Sequence, residues 1–354
     1  MKINITNIYG MSGQSTALIA QNETVKIAKK LDFHELSFYF YNIYSDSEGE
    51  LNSRLDGVLA KLGYGDIVVY QSPTWNGREY DQNFIRKCKI LNTKMITFIH
   101  DVPPLMFPSN YYLMPEYIEM YNQSDLVVVP SEKMKERLIQ EGLTVQKIII
   151  QGMWDHVHNY PLKQPSFQKK LYFAGSVERF EHLSNWAYST PLDIFSESNY
   201  ENSNPRVSFK GWKTDPELLF ALSEGGFGLV WGTSENPADE EDYYRLNISH
   251  KVSTYLAAGI PVVVPSYLSN ASFIKEKGLG YVVDSLEEAN RLVEETTAEF
   301  YQQMVKNVSK VSYALKEGYF TKKLLIDAVM QLLDLFGNCK KCYTIFMETV
   351  YDKA

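Results

Sequence analysis

Residues 247–265, NISHKVSTYLAAGIPVVVP, constrain the fold more than any other stretch of the chain. Apolar side chains recur at helical spacing from Ile248 to Leu256, which predicts a short helix with one apolar face. Gly259 then offers the left-handed conformation in which helices often end. The β-branched run over residues 260–264 is typical of a strand buried on both faces. This order of elements predicts an α/β protein.

The start of this helix combines features that suit a diphosphate. Asn247 and Lys251 are four residues apart and therefore share a face of the helix. A helix start carries free N–H groups and a partial positive charge, to which the lysine adds a full charge. The alternative is a solvated surface lysine on an ordinary helix of an α/β protein.

A helix that begins near a lysine and continues into YLAAGIPVVV resembles the nucleotide-sugar site of GT-B glycosyltransferases. More narrowly, nearly the whole chain, from INITNIYGMSGQST to the helices past Glu317, resembles the glucosyltransferase 3 type enzymes, or nucleotide sugar synthetase-like proteins. These enzymes extend glycans on streptococcal serine-rich-repeat adhesins. The resemblance implies an α/β protein of the GT-B type, with two Rossmann-like domains facing a cleft.

The resemblance also implies a domain plan and an activity. Residues 1–160 form the acceptor-side domain, residues 161–320 bind the nucleotide sugar, and residues 321–354 form a helix crossing back to the first domain plus a tail. The implied reaction moves glucose from UDP-glucose, the donor substrate, onto N-acetylglucosamine already attached to Ser or Thr of an adhesin. No cofactor is implied. The implied assembly is a homo-oligomer, with a tetramer as one option.

Length, net charge and hydropathy limit the number of domains and the classes of protein that fit this sequence. The length of 354 residues predicts two or three domains, and the net charge of −8 argues against a nucleic-acid-binding protein. No apolar run approaches the ~20 residues that a membrane helix requires. The first ten residues lack the apolar core of a signal peptide, so we expect a cytoplasmic protein without a membrane span.

The three cysteines, Cys88, Cys339 and Cys342, fit a reducing compartment. Cys339 and Cys342 form a single C-x-x-C without a second pair or a nearby histidine. A zinc or redox role is one interpretation of this pair, and a frayed C-terminal tail is the other.

The chain opens with a predicted strand, a loop over residues 10–16 and a helix, which is typical of a doubly wound domain. The loop has only two glycines, so the dinucleotide fingerprint is incomplete. In the resembling family this loop lines the cleft, which implies that Ser15 contacts the acceptor and Thr16 the nucleotide sugar. Helix capping is the alternative role for both side chains.

Two further loops follow predicted strands in the N-terminal half. Trp75 and Asn76 come after the strand at residues 67–70, where the tryptophan would stack on a sugar and the asparagine would hydrogen-bond to it. The alternative is a tryptophan packed under the loop. His100 and Asp101 follow the next strand, and we expect His100 to contact the acceptor. Asp101 is the candidate catalytic base or acceptor-orienting group, unless it only caps a turn.

The second half carries the candidate donor site. By resemblance, Gly175 and Arg179 in the first loop of the second domain bind the donor diphosphate, and Asn247 holds the diphosphate or a sugar hydroxyl. Arg179 and Lys251 are the predicted catalytic cations. The alternative for Arg179 is a surface ion pair with Glu178 or Glu181.

Trp212 ends the strand predicted over residues 207–212, at the position where this architecture usually contacts the base. It would stack on uracil, or else it is a core tryptophan.

No metal is expected. The acidic residues 239–242 contain no D-x-D pair, and no such pair occurs elsewhere in the chain. We therefore interpret them as a solvated or mobile loop. His156 and His158 have metal-ligand chemistry but lack an evident third ligand. The diphosphate charge would instead be met by Arg179, Lys251 and the helix start.

Two other functions remain open from the sequence. A UDP-sugar epimerase uses the same two-domain fold without an acceptor. A non-catalytic partner subunit would bind the adhesin or stabilise another transferase.

Overall fold

The computed structural model describes residues 1–180, 183, 186–197, 204–232 and 243–335. The chain divides into two compact units. The N-terminal unit contains Met1–Val129, Arg137–Ile150 and the chain from Thr321 onward, and the C-terminal unit contains Pro130–Glu136 and Gln151–Phe320. Each unit is built around its own parallel sheet.

The N-terminal unit has a six-stranded sheet in the order β2-β1-β3-β4-β5-β6. Its strands are β1 (Ile3–Tyr9), β2 (His34–Tyr39), β3 (Ile67–Ser72), β4 (Lys94–Ile99), β5 (Leu126–Val129) and β6 (Ile148–Ile150). The helices up to this point in the chain are α1 (Thr16–Lys29), α2 (Glu48–Leu59), α3 (Arg78–Ile90), α4 (Pro103–Met106), α5 (Met114–Tyr121) and α6 (Glu132–Gln140). The strand order reverses direction between β1 and β3.

The C-terminal unit has a second six-stranded sheet in the order β12-β11-β10-β7-β8-β9. Its strands are β7 (Ser166–Ala174), β8 (Leu192–Phe195), β9 (Val207–Phe209), β10 (Gly225–Leu229), β11 (Val262–Pro265) and β12 (Gly280–Val283). The remaining described helices are α7 (Asp215–Leu222), α8 (His250–Ala257), α9 (Ala271–Lys277), α10 (Leu286–Glu295), α11 (Ala298–Glu317) and α12 (Tyr319–Leu332). If the strands of this unit are numbered 1 to 6 from β7 to β12, their order across the sheet is the Rossmann order 3-2-1-4-5-6. The switch point lies between β7 and β10.

Residues 247–265 fold into the predicted helix, turn and strand. The predicted helix is α8, whose apolar face is buried at Val252, Tyr255 and Leu256. Gly259 has a φ of +90°, the left-handed conformation that lets the chain turn from the helix into the sheet. The predicted strand is β11, which is buried throughout. Two parallel, doubly wound sheets confirm the prediction of two Rossmann-like folds.

None of the helices in the described part of the chain combines the length and apolar character needed to cross a bilayer.

A close contact between a glycine and an aromatic ring holds α8 against the sheet. The ring of Tyr255 packs directly on Gly228 of β10, where an added Cβ would lie 2.1 Å from a ring atom. The Tyr255 hydroxyl accepts a hydrogen bond from the Ala174 backbone N–H at 2.9 Å, at the end of β7. Tyr255 therefore fixes α8 relative to both strands that flank the switch point.

Replacing Gly228 with alanine should destabilise the protein by about 1–3 kcal/mol, because the methyl group overlaps a fully buried ring that cannot move away. Urea unfolding measures the change. Gly57→Ala is the matched control, since this glycine lies inside α2 with open space around its Cβ position. It should instead gain about 0.5–1 kcal/mol from helix propensity. Equal stability of the two variants would contradict this packing account.

Candidate active site

The carboxyl ends of β7 and β10 mark the switch point of the C-terminal sheet, which is where open α/β sheets bind ligands. Gly175 directly follows β7, and Lys251 is the second residue of α8. The structure brings these two predicted site residues into contact. A Cβ on Gly175 would lie 3.0 Å from Cε of Lys251 and 3.2 Å from the Phe173 ring. Gly175 thus leaves the space through which the lysine side chain passes.

The Lys251 ammonium lies among three aromatic rings, which we call the aromatic cage. Its Nζ is 5.5 Å from the ring centre of Phe173, 4.9 Å from that of Phe180 and 5.7 Å from that of Tyr244. It also donates a hydrogen bond to the Tyr244 hydroxyl at 3.1 Å. The negative ring faces attract the cation without neutralising its charge. Within the described residues Lys251 forms no salt bridge.

The N-terminus of α8 adds partial positive charge beside this lysine. Ser249 caps the helix and accepts a hydrogen bond from the Lys251 backbone N–H at 3.3 Å. Asn247 shapes the preceding turn: its Oδ1 accepts from the Ile248 N–H at 2.8 Å and its Nδ2 donates to the Tyr243 hydroxyl at 3.3 Å. The structure therefore shows Asn247 holding the loop that leads into the helix.

Arg179 and Trp212 are both exposed in this unit. Arg179 ends a 3₁₀ turn, Val177–Arg179, and forms no salt bridge with another described residue. The alternative partner Glu181 lies outside the described residues. Trp212 follows β9 with 48% of its surface exposed, so the core-tryptophan interpretation is wrong. Its stacking role stays a prediction.

The segment before β7 supports α8 from the side. The Trp154 ring stacks on His250 at 4.3 Å between ring centres, and the Ser253 hydroxyl donates to the Trp154 carbonyl at 2.6 Å. The Nδ1 of His156 lies 3.2 Å from the Thr254 hydroxyl. These contacts anchor the helix that carries Lys251.

The metal interpretation of the two histidines gains no support from their contacts. The Nε2 of His156 lies 2.9 Å from Asp215 Oδ1, and that of His158 lies 3.4 Å from the Ala257 carbonyl. No group of three or more potential metal ligands occurs among the described residues. The acidic residues 239–242 and the Cys339–Cys342 pair lie outside them.

In the N-terminal unit, the loop after β1 leads into α1. The Ser15 hydroxyl accepts a hydrogen bond from the Leu18 N–H at 3.4 Å, so the structure shows it in the capping role. Thr16 is the first residue of α1 and is exposed. The contacts of these two residues with substrates stay predictions.

The loop after β3 is tied to the end of β2 through Asn76. Its buried side chain donates to the Tyr39 carbonyl at 3.1 Å and accepts from the Tyr41 N–H at 3.0 Å. Trp75 is half-buried in a left-handed conformation with φ at 62°. Asn76 is thus a positioning residue for the neighbouring strand end.

His100 and Asp101 follow β4 at the same edge of the sheet. The backbone N–H of His100 donates to the Ser72 carbonyl at 2.9 Å. Burial lowers the pKa of His100 to about 3, so its imidazole is neutral near neutral pH. Asp101 is half-buried, and its role as base or orienting group stays a prediction.

Sequence reasoning missed Asp81, a buried carboxyl group in the first turn of α3. The Thr74 hydroxyl donates to its Oδ1, and the Thr74 N–H lies 3.5 Å from its Oδ2. Burial raises the pKa of Asp81 to about 7, although the hydrogen bonds oppose this. The only sequence signal was an acidic residue near a helix start, which is equally typical of exposed positions.

Asp81 should make the folded protein less stable as the pH rises from about 4 to 7. Its raised folded-state pKa means that the folded chain binds the proton more tightly than the unfolded chain, so unfolding releases a proton across this window. Asp81→Asn should remove this decline while keeping an acceptor for Thr74. Urea midpoints measured from pH 4.5 to 8 test this, with the exposed Glu79→Gln as the control. Parallel curves for wild type and Asp81→Asn would contradict it.

Comparison with known proteins identifies the class. The chain is 70% identical to "Glucosyltransferase 3" of Streptococcus gordonii over 333 residues, covering 94% of this chain and all of that protein. It is 41% identical to "Glucosyltransferase 3" of Streptococcus parasanguinis, covering 94% of this chain and 99% of that protein. The crystal structure of Anabaena HepE with UDP and glucose covers 93% of this chain and all of that chain, with a TM-score of 0.62 at 10% identity. The molecule is a glycosyltransferase with the GT-B fold, as predicted.

The family is equally well defined. The family model "Glucosyltransferase 3-like, N-terminal domain" matches residues 2–153, and the model "Glucosyltransferase 3-like, C-terminal domain" matches residues 171–328. The chain belongs to the glucosyltransferase 3-like family, which confirms the resemblance found in the sequence.

Proposed function

We propose that this glycosyltransferase moves glucose from UDP-glucose onto N-acetylglucosamine already attached to Ser or Thr of a serine-rich-repeat adhesin. The observation that carries the donor half of this proposal is the position of Lys251, a cation without a carboxylate partner among the described residues, beside Gly175 and a helix start. The names of the streptococcal relatives support glucose as the transferred sugar. The complex of HepE with UDP and glucose supports a uridine diphosphate donor.

On the donor side, negative charge grows on the diphosphate as its bond to the glucose C1 atom breaks. Lys251 and the α8 N-terminus offset this charge, and Arg179 supplies a second cation. Trp212 stacks on the uracil, while Asn247 and Thr16 contact the diphosphate or the sugar. The aromatic cage keeps Lys251 in place before the donor binds.

On the acceptor side, a hydroxyl oxygen of N-acetylglucosamine forms the new bond to C1 and loses its proton. Asp101 takes this proton or orients the hydroxyl. His100, which stays neutral near pH 7, is suited to hydrogen bonding with the acceptor rather than to charge stabilisation. Ser15 and Trp75 complete the proposed acceptor contacts, while Asn76, first predicted as a contact, positions the strand end beside them.

The proposal includes no metal and no other cofactor, because Lys251, Arg179 and the helix start meet the diphosphate charge. The proposed partners are the UDP-sugar, the glycosylated adhesin and further copies of this chain. The cytoplasmic location expected from the sequence stays a prediction.

Lys251→Met should lower kcat/KM for transfer by about 10²-fold or more, because the variant keeps the length of the side chain but loses the charge that stabilises the leaving diphosphate. It should also weaken UDP binding measured by calorimetry. Lys277→Met, on the exposed end of α9, is the matched control and should behave like wild type. Arg179→Ala should also lower kcat/KM for transfer. Wild-type turnover in the Lys251 variant would overturn the donor assignment.

Transfer should survive EDTA, because the proposed site meets the diphosphate with fixed cations rather than with a bound ion. The measurement is initial transfer rate to a glycopeptide before and after chelation. Complete loss that added Mn²⁺ restores would refute the metal-free proposal.

The two other candidate functions have simple tests. UDP-glucose incubated with the protein alone would yield a second UDP-sugar if the protein were an epimerase. A non-catalytic partner subunit would show neither a rise in melting temperature with UDP nor any effect of Lys251→Met on products.

A further inference from the structure

An exposed tyrosine lies at the carboxyl end of the edge strand of the N-terminal sheet. Tyr39 ends β2 and is paired in register with Tyr9, which ends β1. Its side chain is 65% exposed. The loops that carry the predicted acceptor contacts leave this same edge of the sheet.

One face of the Tyr39 ring rests on the backbone at Gly10. A Cβ on Gly10 would lie 2.3, 2.4 and 2.6 Å from Cζ, Cε1 and Cε2 of the ring. Three such similar distances place this point over the ring face rather than at its edge. Gly10 also has a φ of +83°, a conformation that residues with a Cβ rarely adopt. The glycine therefore lets the ring lie against the loop, and its other face is open to solvent.

The backbone around this ring is fixed on both sides. Asn76 binds the Tyr39 carbonyl and the Tyr41 N–H, and the Phe40 N–H donates to the Tyr9 carbonyl at 2.8 Å. These bonds join the ends of β1, β2 and the loop after β3. A ring held in this way loses little conformational entropy when a ligand stacks on it.

The side chains on the same face of β1 and β2 as Tyr39 form a polar network. The Tyr9 hydroxyl donates to Glu35, which also accepts from Asn7 at 2.9 Å and from Ser37 at 2.9 Å. Burial alone would raise the pKa of Glu35, but these hydrogen bonds and the one from Lys29 lower it to about 2. Tyr39 therefore ends a face of this strand pair whose other exposed side chains are hydrogen-bonded to Glu35.

We propose that the open face of Tyr39 is a stacking site for the pyranose ring of the acceptor sugar. The C–H face of a pyranose is apolar and flat enough to pack on an aromatic ring, while its hydroxyls point outward to polar groups. The site lies at the carboxyl edge of the sheet, next to the switch point between β1 and β3. Asn76 acts here as a positioning residue. The inference rests on the proposed function for the identity of the sugar.

Direct binding tests the stacking site without requiring turnover. The probes are a peptide carrying N-acetylglucosamine on serine and the same peptide without the sugar, titrated into the full chain by calorimetry. We expect the glycopeptide to bind wild type about tenfold more tightly than Tyr39→Leu, which keeps apolar bulk but lacks an aromatic face. Tyr39→Phe should stay near wild type. The control is Tyr64→Ala, a 76% exposed tyrosine that precedes β3 at the opposite edge of the sheet.

Steady-state kinetics give a second readout. Tyr39→Leu should raise the KM for the glycopeptide about tenfold, with kcat and the affinity for UDP unchanged. A general loss of structure would instead change all three quantities.

The outcomes separate this inference from the proposed function. Equal glycopeptide affinity of wild type and Tyr39→Leu, or no binding to wild type, overturns the stacking site. Glycopeptide binding that depends on Tyr39 without any glucose transfer from UDP-glucose upholds the stacking site and overturns the proposed donor reaction.

Discussion

The donor half of the account depends on an ammonium group that aromatic rings hold, with no carboxylate partner among the residues that the structure describes. Lys251 is fixed by Phe173, Phe180 and Tyr244, and none of these partners cancels its charge. A salt bridge would hold the side chain equally well, but an incoming diphosphate would then have to compete with the bound carboxylate. The aromatic cage provides position and charge together, which is what a preorganised site for a leaving diphosphate needs.

In both units, glycines let a neighbouring side chain pack directly on the backbone. Gly175 makes room for Lys251, and Gly228 lets Tyr255 bring α8 against β10. Gly10 makes room for the ring of Tyr39 in the N-terminal unit. Two of these three glycines directly follow the first strand of their sheet, at a switch point where ligands bind in doubly wound folds. The same packing solution thus presents a cation in one unit and an aromatic ring in the other.

Local patterns made the fold and part of the donor site predictable. The helix, the turn at Gly259 and strand β11 could be predicted because hydrophobic periodicity and glycine placement act within a few residues. Lys251 could be singled out because its position near a helix start is visible in the sequence. The contact between Gly175 and Lys251 could not be predicted, because it depends on how β7 packs against α8.

The residues that sequence reasoning missed depend on distant contacts. Phe173 and Phe180 flank the turn after β7, but Tyr244 comes from a distant segment of the chain, so no spacing rule connects all three rings. Tyr39 is an exposed tyrosine at the end of an edge strand, which is a common position for a tyrosine. What sets it apart is that its ring packs on the backbone at Gly10, a contact that the sequence does not show. Asp81 is unusual because of its burial under Thr74, which the sequence does not show. The sequence left open whether Trp212 is buried or exposed, because this depends on where β9 ends.

A crystal structure of the protein with UDP tests the central claim most directly. The account predicts a diphosphate oxygen within about 3 Å of the Lys251 ammonium, with the backbone at Gly175 alongside. UDP bound away from Lys251, with the aromatic cage unchanged and unoccupied by phosphate, would contradict it.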